Sequence, residues 1–369
     1  AEDGIRDVER SRGLGDVYKR QTMHTSICPA ACRLTRILHR YDIKEYNPAL
    51  LVASSPLMII FEDTNRFTLL QQGCVATIGK FDGVHLGHQL ILDQLKRKAE
   101  QSNLPSLVVL IEPHPEEFFA GPDGECPARL TSLKEKVELL ESFGIDFVFQ
   151  LNFDQKMSEI SAGNYIQDIL VSGLGIGSII VGHDFRFGHK RQGDYAFLQQ
   201  AGKKLGFEVI ETAAYERNGQ RISSSFIRER LEHSDFELVE QLLGRPYSMK
   251  GEVIHGQQLG SDLGFPTCNI NPHRLKIPLH GVFACQVRLG DYFRQAAVNI
   301  GYRPTITEDG EALLEAHILD FNEDLYGKTI EVIFFHKLRE EVKFDRLDVL
   351  KKQISADVQQ VRKMFDLTS

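Results

Sequence analysis

The chain has 369 residues, too many for most single cores and enough for two domains of ordinary size. With 42% hydrophobic and 25% charged residues it has the balance of a globular protein, and no apolar run approaches the ~20 residues that span a bilayer, which excludes a disordered or membrane-embedded chain. A formal net charge of -8 argues against a nucleic-acid backbone as the main partner. The six cysteines, Cys28, Cys32, Cys74, Cys126, Cys268 and Cys285, are scattered without a paired metal-ligand spacing, and read as free thiols in a reducing, cytoplasmic compartment.

In chain order, residues 1–21 mix charges and glycines without a period, and residues 22–57 carry no sustained helix or strand pattern. The Arg33 to Arg40 stretch has some character of an organelle leader, but Asp42 and Glu45 oppose it. The expectation is a disordered, non-native extension (1–57) before a start near Met58. From Cys74 onward, apolar β-rich runs at 74–78, 107–111, 147–151, 179–181 and 207–210 alternate with helical stretches. Those stretches lie at 86–98, at 132–143 closed by Gly144, and at 195–205 closed by Gly206. This alternation predicts an α/β domain, a parallel sheet covered on both faces that binds ligands beyond the carboxyl ends of its strands. After Pro246 short alternating runs at 249–254, 282–287, 294–300, 313–319 and 330–335 predict a small antiparallel β-barrel. A C-terminal helix follows, with Leu347, Leu350, Ile354, Val358, Val361 and Phe365 spaced as one apolar face. The expected domains are 58–243 and 244–369, and there is no internal repeat.

The sharpest chemical signal is Gly79-Lys80-Phe81-Asp82-Gly83-Val84-His85-Leu86-Gly87-His88, between an apolar strand and a helix. Gly83 and Gly87 let backbone approach a ligand, and a helix N-terminus favours an anion. His85 and His88, three apart, can both face one phosphate in the first helical turn. Two exposed polar histidines at a helix start are the competing reading, favoured for a bare H-x-G-H but not in this strand–turn–helix context. The arrangement resembles the nucleotidyltransferase superfamily. That resemblance implies histidines donating to phosphate oxygens as the α-phosphorus becomes five-coordinate, with no general base when the attacking group is already a phosphate.

Three further stretches narrow the resemblance. They are Glu112-Pro113-His114-Pro115-Glu116, the run 181–194 containing Asp184, Phe185, Arg186 and Gly188, and Ile222-Ser223-Ser224-Ser225-Phe226-Ile227-Arg228 capping a late helix. Serines at a helix start with Arg228 one turn in offer hydroxyl, amide and guanidinium donors to a polyphosphate, although such serines are more often a simple cap. Together the set closely resembles the bacterial bifunctional riboflavin kinase/FMN adenylyltransferases, from roughly Met58 to the C-terminus. The resemblance implies ATP phosphates at His85, His88, Ser225 and Arg228, with Gly79, Phe81, Asp82, Gly83, Gly87 and Ser224 shaping that site. It implies flavin and its phosphate near Asp184, Phe185 and Arg186, where a structural Asp184–Arg186 ion pair is the alternative. Lys156-Met157-Ser158 is similar to the lysine loop of class I aminoacyl-tRNA synthetases, but it comes too early in the chain and is a chance match.

The barrel opens with a glycine-rich segment, Gly251, Gly256, Gly260 and Gly264, leading to Pro266-Thr267-Cys268-Asn269. It is neither a P-loop nor a dinucleotide fingerprint; it suits a flap over phosphates or a barrel corner. It resembles the riboflavin kinase segment ending in Pro-Thr-Ala-Asn, with Cys268 for alanine and Ser261 where many relatives carry arginine. The resemblance implies that Thr267 and Asn269 hold Mg²⁺ and ATP phosphates. Glu315 and His317 alternate onto one strand face. Phosphorylating a neutral ribityl hydroxyl calls for a proton acceptor, and the resemblance nominates Glu315. It also suggests Asn299, Arg303 and Arg339 as flavin-site surroundings. The implied partners are ATP, riboflavin, FMN and FAD, with no nucleic acid or membrane, for a monomer or weak homo-oligomer. An adenylyltransferase for another phosphorylated acceptor leaves the barrel motifs unexplained, and a non-catalytic flavin binder leaves His85, His88 and Glu315 unexplained. Removing residues 1–57 is expected to leave folding and both activities intact; an insoluble or inactive 58–369 protein would sink that expectation.

Overall fold

The computed structural model describes residues 59–61, 73–121, 124–217, 219–256, 264–302 and 312–366. The expectations for residues 1–57, Gly260, Ser261 and Arg303 lie outside them. Six parallel strands, β1 (Ile59–Phe61), β2 (Cys74–Gly79), β3 (Ser106–Glu112), β4 (Phe147–Asn152), β5 (Ile176–Gly182) and β6 (Glu208–Thr212), form one sheet in the order β1-β4-β3-β2-β5-β6. The central strands are nearly unbroken apolar runs because both faces are covered. One face, built on Ala76, Val109, Phe149 and Ile179, packs on the helical segment 162–173, of which Tyr165–Gly173 is π-helical, and on α5 (Tyr195–Leu205). The other, built on Val75, Val108, Val148 and Ile180, packs on α1 (Leu86–Ser102) and α3 (Leu133–Ser142). The short helices α2 (Pro115–Ala120) and α4 (Gln155–Glu159) follow β3 and β4.

The chain winds from β2 through β3 to β4, then returns to the other side of β2 as β5. That reversal puts the topological switch point beside β2, and the crevice beyond its carboxyl end receives the Gly79-to-His88 motif. A two-stranded hairpin, β7 (Glu216–Arg217) and β8 (Gln220–Arg221), precedes α6 (Ser224–Glu232) and α7 (Phe236–Leu243).

Six further strands close an antiparallel barrel in the order β10-β13-β12-β11-β14-β9. They are β9 (Ser248–Ile254), β10 (Cys268–Asn271), β11 (Gly281–Leu289), β12 (Tyr292–Tyr302), β13 (Ala312–Ile318) and β14 (Thr329–Arg339). The Leu289-Gly290-Asp291 turn makes the β11–β12 hairpin, with Leu289 paired to Tyr292. The final helix α8 (Leu347–Asp366) packs Val361, Val358 and Phe365 with Ala284 and Ala297 on the outer face of β11 and β12. The expected apolar face holds over its C-terminal part, whereas Leu347 is 69% exposed and takes no part in that contact. β10, β1 and the π-helical segment were not expected.

The hydrophobic cores do not follow the domain division. Ile227, Leu231, Phe236, Val239, Leu242 and Leu243 of α6 and α7 share one buried cluster with the barrel interior, including Phe283, Phe334 and Ile270. A polar junction reinforces it. Glu135 on α3 accepts from the Ser132 amide in a capping box, from the Lys250 amide of β9 at 2.8 Å, and from the guanidinium of fully buried Arg274. Burial would raise the Glu135 carboxyl, but Arg274 and the backbone donors hold it below the ordinary carboxylate value. Removing one partner strands a buried charge, so Arg274→Met is expected to cost about 3–5 kcal/mol in urea unfolding at pH 7. The double variant Glu135→Gln, Arg274→Met is expected to cost less than the sum of the two single changes; additive losses would show that the pair is not coupled.

Candidate active sites

β2 ends at Gly79 and the chain turns sharply into α1. Phe81 and Val84 take positive φ of 48° and 40°, and Gly83 sits between at 81°. Gly83 is required twice over, since its backbone is left-handed and an added Cβ would lie 2.8 Å from Leu130 Cδ1. His85 caps α1, its Nδ1 accepting from the His88 amide at 3.3 Å. With Nδ1 used as an acceptor, a neutral His85 carries its proton on Nε2 and presents a donor. The His85 and His88 rings stack at 3.7 Å, and His88 lies 4.9 Å from the buried Phe81 ring. Gly87 falls in the first turn of α1, where the early amides lack intrahelical partners.

Burial lowers His85 to about 4 against the opposing pull of Asp82, and burial together with His85, Lys136 and Lys80 holds His88 well below its usual value. Both rings are therefore neutral at pH 7. The N-terminus of α6 points at the same place. Ser223, not Ser224, is its cap, the Ser224 hydroxyl donates to the Asp82 carbonyl at 2.9 Å, and Ser225 is exposed. The Asp82 carboxylate is buried, accepting from Leu130 N, Thr131 N, the Thr131 hydroxyl and Arg228 Nη2. Arg228 also donates Nε to the Ala128 carbonyl, so in this structure its guanidinium braces Asp82 and the loop before α3. Two converging helix N-termini and two neutral histidines at a switch point can bind and stabilise a polyphosphate.

Asp184 pairs with Arg221 on β8 at 2.6 Å, while Arg186 donates to the Phe185 carbonyl. The anticipated structural alternative, an Asp184–Arg186 pair, is replaced by Asp184–Arg221. Phe185 stacks on Phe187 at 5.4 Å.

In the barrel, Asn269 of β10 lies opposite Glu315 of β13, and Glu315 opposite Asn299 of β12. Directly opposed residues share a sheet face, so Asn269, Glu315 and Asn299 form one row across three strands. Asn269 is buried and Glu315 exposed. A Cβ at Gly256 would lie 1.8 Å from Asn269 Nδ2, so any side chain there would displace the Asn269 carboxamide. Thr267 lines a cavity of about 290 Å³ with Cys268, Asn322, Asp324 and Tyr326. His317 Nδ1 approaches the Pro266 carbonyl at 2.8 Å and pins the segment leading to Thr267. Arg339 is held by Asp357 of α8 through Nε and Nη2, and Asn299 Nδ2 reaches Glu341 at 3.5 Å.

The FAD synthetase family model matches residues 68–226 and the riboflavin kinase family model matches residues 243–365. The bifunctional riboflavin kinase/FMN adenylyltransferase of Haemophilus influenzae is 46% identical over 297 residues, covering 80% of this chain and 95% of that protein. The one from Escherichia coli K12 is 43% identical over 299 residues, covering 81% and 95%. The chain belongs to this family. A solved structure described as a macrolide-efflux protein from Streptococcus pneumoniae also superposes, with TM-score 0.67 and 26% identity over 83% of this chain and 99% of that one. Among the described residues no helix is long and apolar enough to cross a membrane. The chain therefore phosphorylates riboflavin to FMN and adenylylates FMN to FAD, with ATP the donor in both steps.

Beside the crevice at the end of β2 lies a buried charge network that the sequence did not announce. Lys136 of α3, fully buried, donates to the Lys80 carbonyl at 3.0 Å and to Glu112, and meets His114 at 3.1 Å; Arg129 bridges Glu112 and Glu117. Lys136 replaces an apolar residue on the Leu133, Val137, Leu140 side of an amphipathic helix, which was the available signal. Lys80 pairs with Glu116 at 2.6 Å and ties the motif to α2. On α2 the ring of Phe119 is 69% exposed, edge-on to Phe118 and Phe153.

Because His85 resists protonation when folded, its contribution is complete above the unfolded value near pH 6.5. It is lost as pH falls toward 4, and amounts to roughly 3 kcal/mol. His85→Asn keeps a capping acceptor but does not titrate, so its stability relative to the parent should rise between pH 7 and pH 4.5. A parallel fall of the two proteins in urea titrations would contradict the buried, neutral ring.

Proposed function

We propose that the two ATP-dependent steps run at separate sites: adenylyl transfer at the β2 switch point, within 58–243, and phosphoryl transfer on the barrel, within 244–369. The convergence of the α1 and α6 N-termini around the stacked histidines is the observation that carries the first assignment. An FMN phosphate oxygen attacks the α-phosphorus of ATP, the bond to the bridging oxygen breaks, and pyrophosphate leaves. His85 Nε2–H, His88 and the first-turn amides of α1 and α6, with Ser225, donate to the phosphate oxygens as charge builds. Arg228 orients this set through Asp82. No proton acceptor is needed, because the nucleophile is already ionised. Flavin binding at Asp184, Phe185 and Arg186 is supported by the exposed loop that carries them, and Phe119 offers a flat apolar face to an isoalloxazine ring.

At the barrel, Glu315 takes the proton of the ribityl hydroxyl as its oxygen bonds to the γ-phosphorus and ADP departs. Thr267 and Asn269 supply hydroxyl and carboxamide oxygens, a hard donor set that suits Mg²⁺ held largely by phosphates and water. Bound Mg²⁺ would neutralise phosphate charge. Gly256 borders the nucleotide and Asn299 the flavin; Arg339 supports that wall through its pairing with Asp357 of α8. The enzyme acts in the cytoplasm on diffusible flavins and ATP as a monomer or weak homo-oligomer.

Glu315→Gln is expected to slow FMN formation by about 10²–10⁴-fold while conversion of supplied FMN to FAD continues at the parental rate. Chromatographic separation of the flavins over time reads both steps, and equal loss of both would refute two independent sites.

A further inference from the structure

The turn that presents His85 stores strain. Val84 is β-branched, yet its φ of 40° lies in the left-handed region, where such residues are genuine outliers. Backbone of this kind persists only where its surroundings over-determine it. Two side chains from outside the turn do so here. Gln89 Nε2 donates to the Val84 carbonyl at 2.9 Å and the Leu243 carbonyl at 2.8 Å. Arg245 Nη2 donates to the Gly83 carbonyl at 2.7 Å, and Nη1 reaches the Val84 and Leu243 carbonyls at 3.3 and 3.4 Å. One guanidinium therefore grips the two consecutive carbonyls immediately before His85.

Arg245 comes from an unexpected part of the chain. It follows Gly244, the left-handed cap of α7, and leads into the barrel, where the Tyr247 carbonyl accepts from Phe334 N at 3.0 Å. Its hydrogen bonds go to carbonyls and not to a carboxylate, and burial lowers its pKa to about 10. Burying a cation in that way is unfavourable unless its donors are filled, and the carbonyls of the motif turn fill them.

We propose that Arg245 is a positioning residue for adenylyl transfer: it clamps the Gly83 and Val84 carbonyls and so fixes the His85 ring against His88. The clamp belongs to the link between the two modules, which makes the adenylyltransferase site dependent on a segment outside its own sheet. Without it, Val84 relaxes toward ordinary φ, the cap at His85 rotates, and the 3.7 Å histidine stack opens. This inference rests on the reading that His85 and His88 serve adenylyl transfer.

The test uses the full chain, with riboflavin phosphorylation and FMN adenylylation measured on the same preparations of Arg245→Met, Arg245→Lys and His85→Asn. Arg245→Met should lower kcat for FAD formation by roughly 10–100-fold, with KM for FMN and the kinase rate unchanged within about twofold. Arg245→Lys, able to reach one carbonyl at a time, should recover part of that loss. If the methionine variant does not fold, the lysine variant carries the test through the same split between kcat and KM. Parental adenylylation in Arg245→Met together with a defective His85→Asn would overturn the role of Arg245 alone. An unaffected His85→Asn would overturn the histidine reading beneath it. Equal loss of both activities with a lowered Tm would reduce Arg245 to a structural residue and overturn the proposal.

Discussion

The crevice at the end of β2 is organised around one buried carboxylate, that of Asp82. It collects the amides of Leu130 and Thr131, the Thr131 hydroxyl and the Arg228 guanidinium, while its own carbonyl receives the Ser224 hydroxyl. A buried carboxylate left unfilled costs several kcal/mol, so filling it draws together three segments distant in sequence. They are the turn after β2, the loop before α3 and the start of α6. Burial alone would raise Asp82; Arg228 above all holds it below the ordinary value, so the hub stays ionised and its donors stay attached. The aim of the two helix N-termini follows from this convergence. The same loop also sets the start of α3, whose Glu135 grips the barrel, so the geometry of one catalytic module is continued into the other.

The chemistry of the two steps is matched by the character of the two sites. On the proposed reading an ionised phosphate meets a triphosphate at the first, where burial keeps the histidines neutral and leaves N–H donors to offer. The lysines nearby are engaged by carboxylates, Lys80 with Glu116 and Lys136 with Glu112. Neutral dipoles add little to ground-state attraction of the triphosphate, and they gain most where charge accumulates at the α-phosphorus. At the second site the nucleophile is a neutral alcohol. There the row Asn269, Glu315, Asn299 combines an exposed carboxylate with carboxamides on one strand face, arranged by register and by the missing side chain of Gly256.

How much of this was legible follows from how local each determinant is. The α/β and barrel patterns were read correctly because apolar runs and glycine stops are local: α5 runs Tyr195–Leu205 with Gly206 behind it, as its sequence reads. The H-x-G-H turn was legible for the same reason. β10 was not, since four residues after a glycine-rich segment carry no period, and its strand character comes from pairing with β9 and β13. Arg228 was read as a phosphate donor because its spacing from the serines is local, whereas its partners Asp82 and Ala128 lie 146 and 100 residues away. Asp184 drew attention to the nearby Arg186, but the partner that reaches it is Arg221 on a hairpin that no pattern announced. Lys136 lies on the apolar side of its helix, and the partners that make sense of it, the Lys80 carbonyl, Glu112 and His114, all come from other elements.

The way α6 and α7 pack shows why two enzymes share one chain without a flexible tether. A boundary drawn from the change of pattern falls at 243/244, where α7 ends and Gly244 turns the chain. Physically the apolar face of α7 belongs to the barrel: Phe236 stands edge-on to Phe283 at 5.9 Å and stacks on Phe334 at 6.3 Å. The helix that precedes it, α6, ties Ser224 to the Asp82 carbonyl on one side and buries Ile227 and Leu231 in the barrel cluster on the other. A single helical hairpin is thus wall to both modules. A cut at 243/244 would take Phe236, Val239, Leu242 and Leu243 out of the cluster they share with the barrel. The linker that follows the hairpin is then well placed to return a side chain to the strained histidine turn.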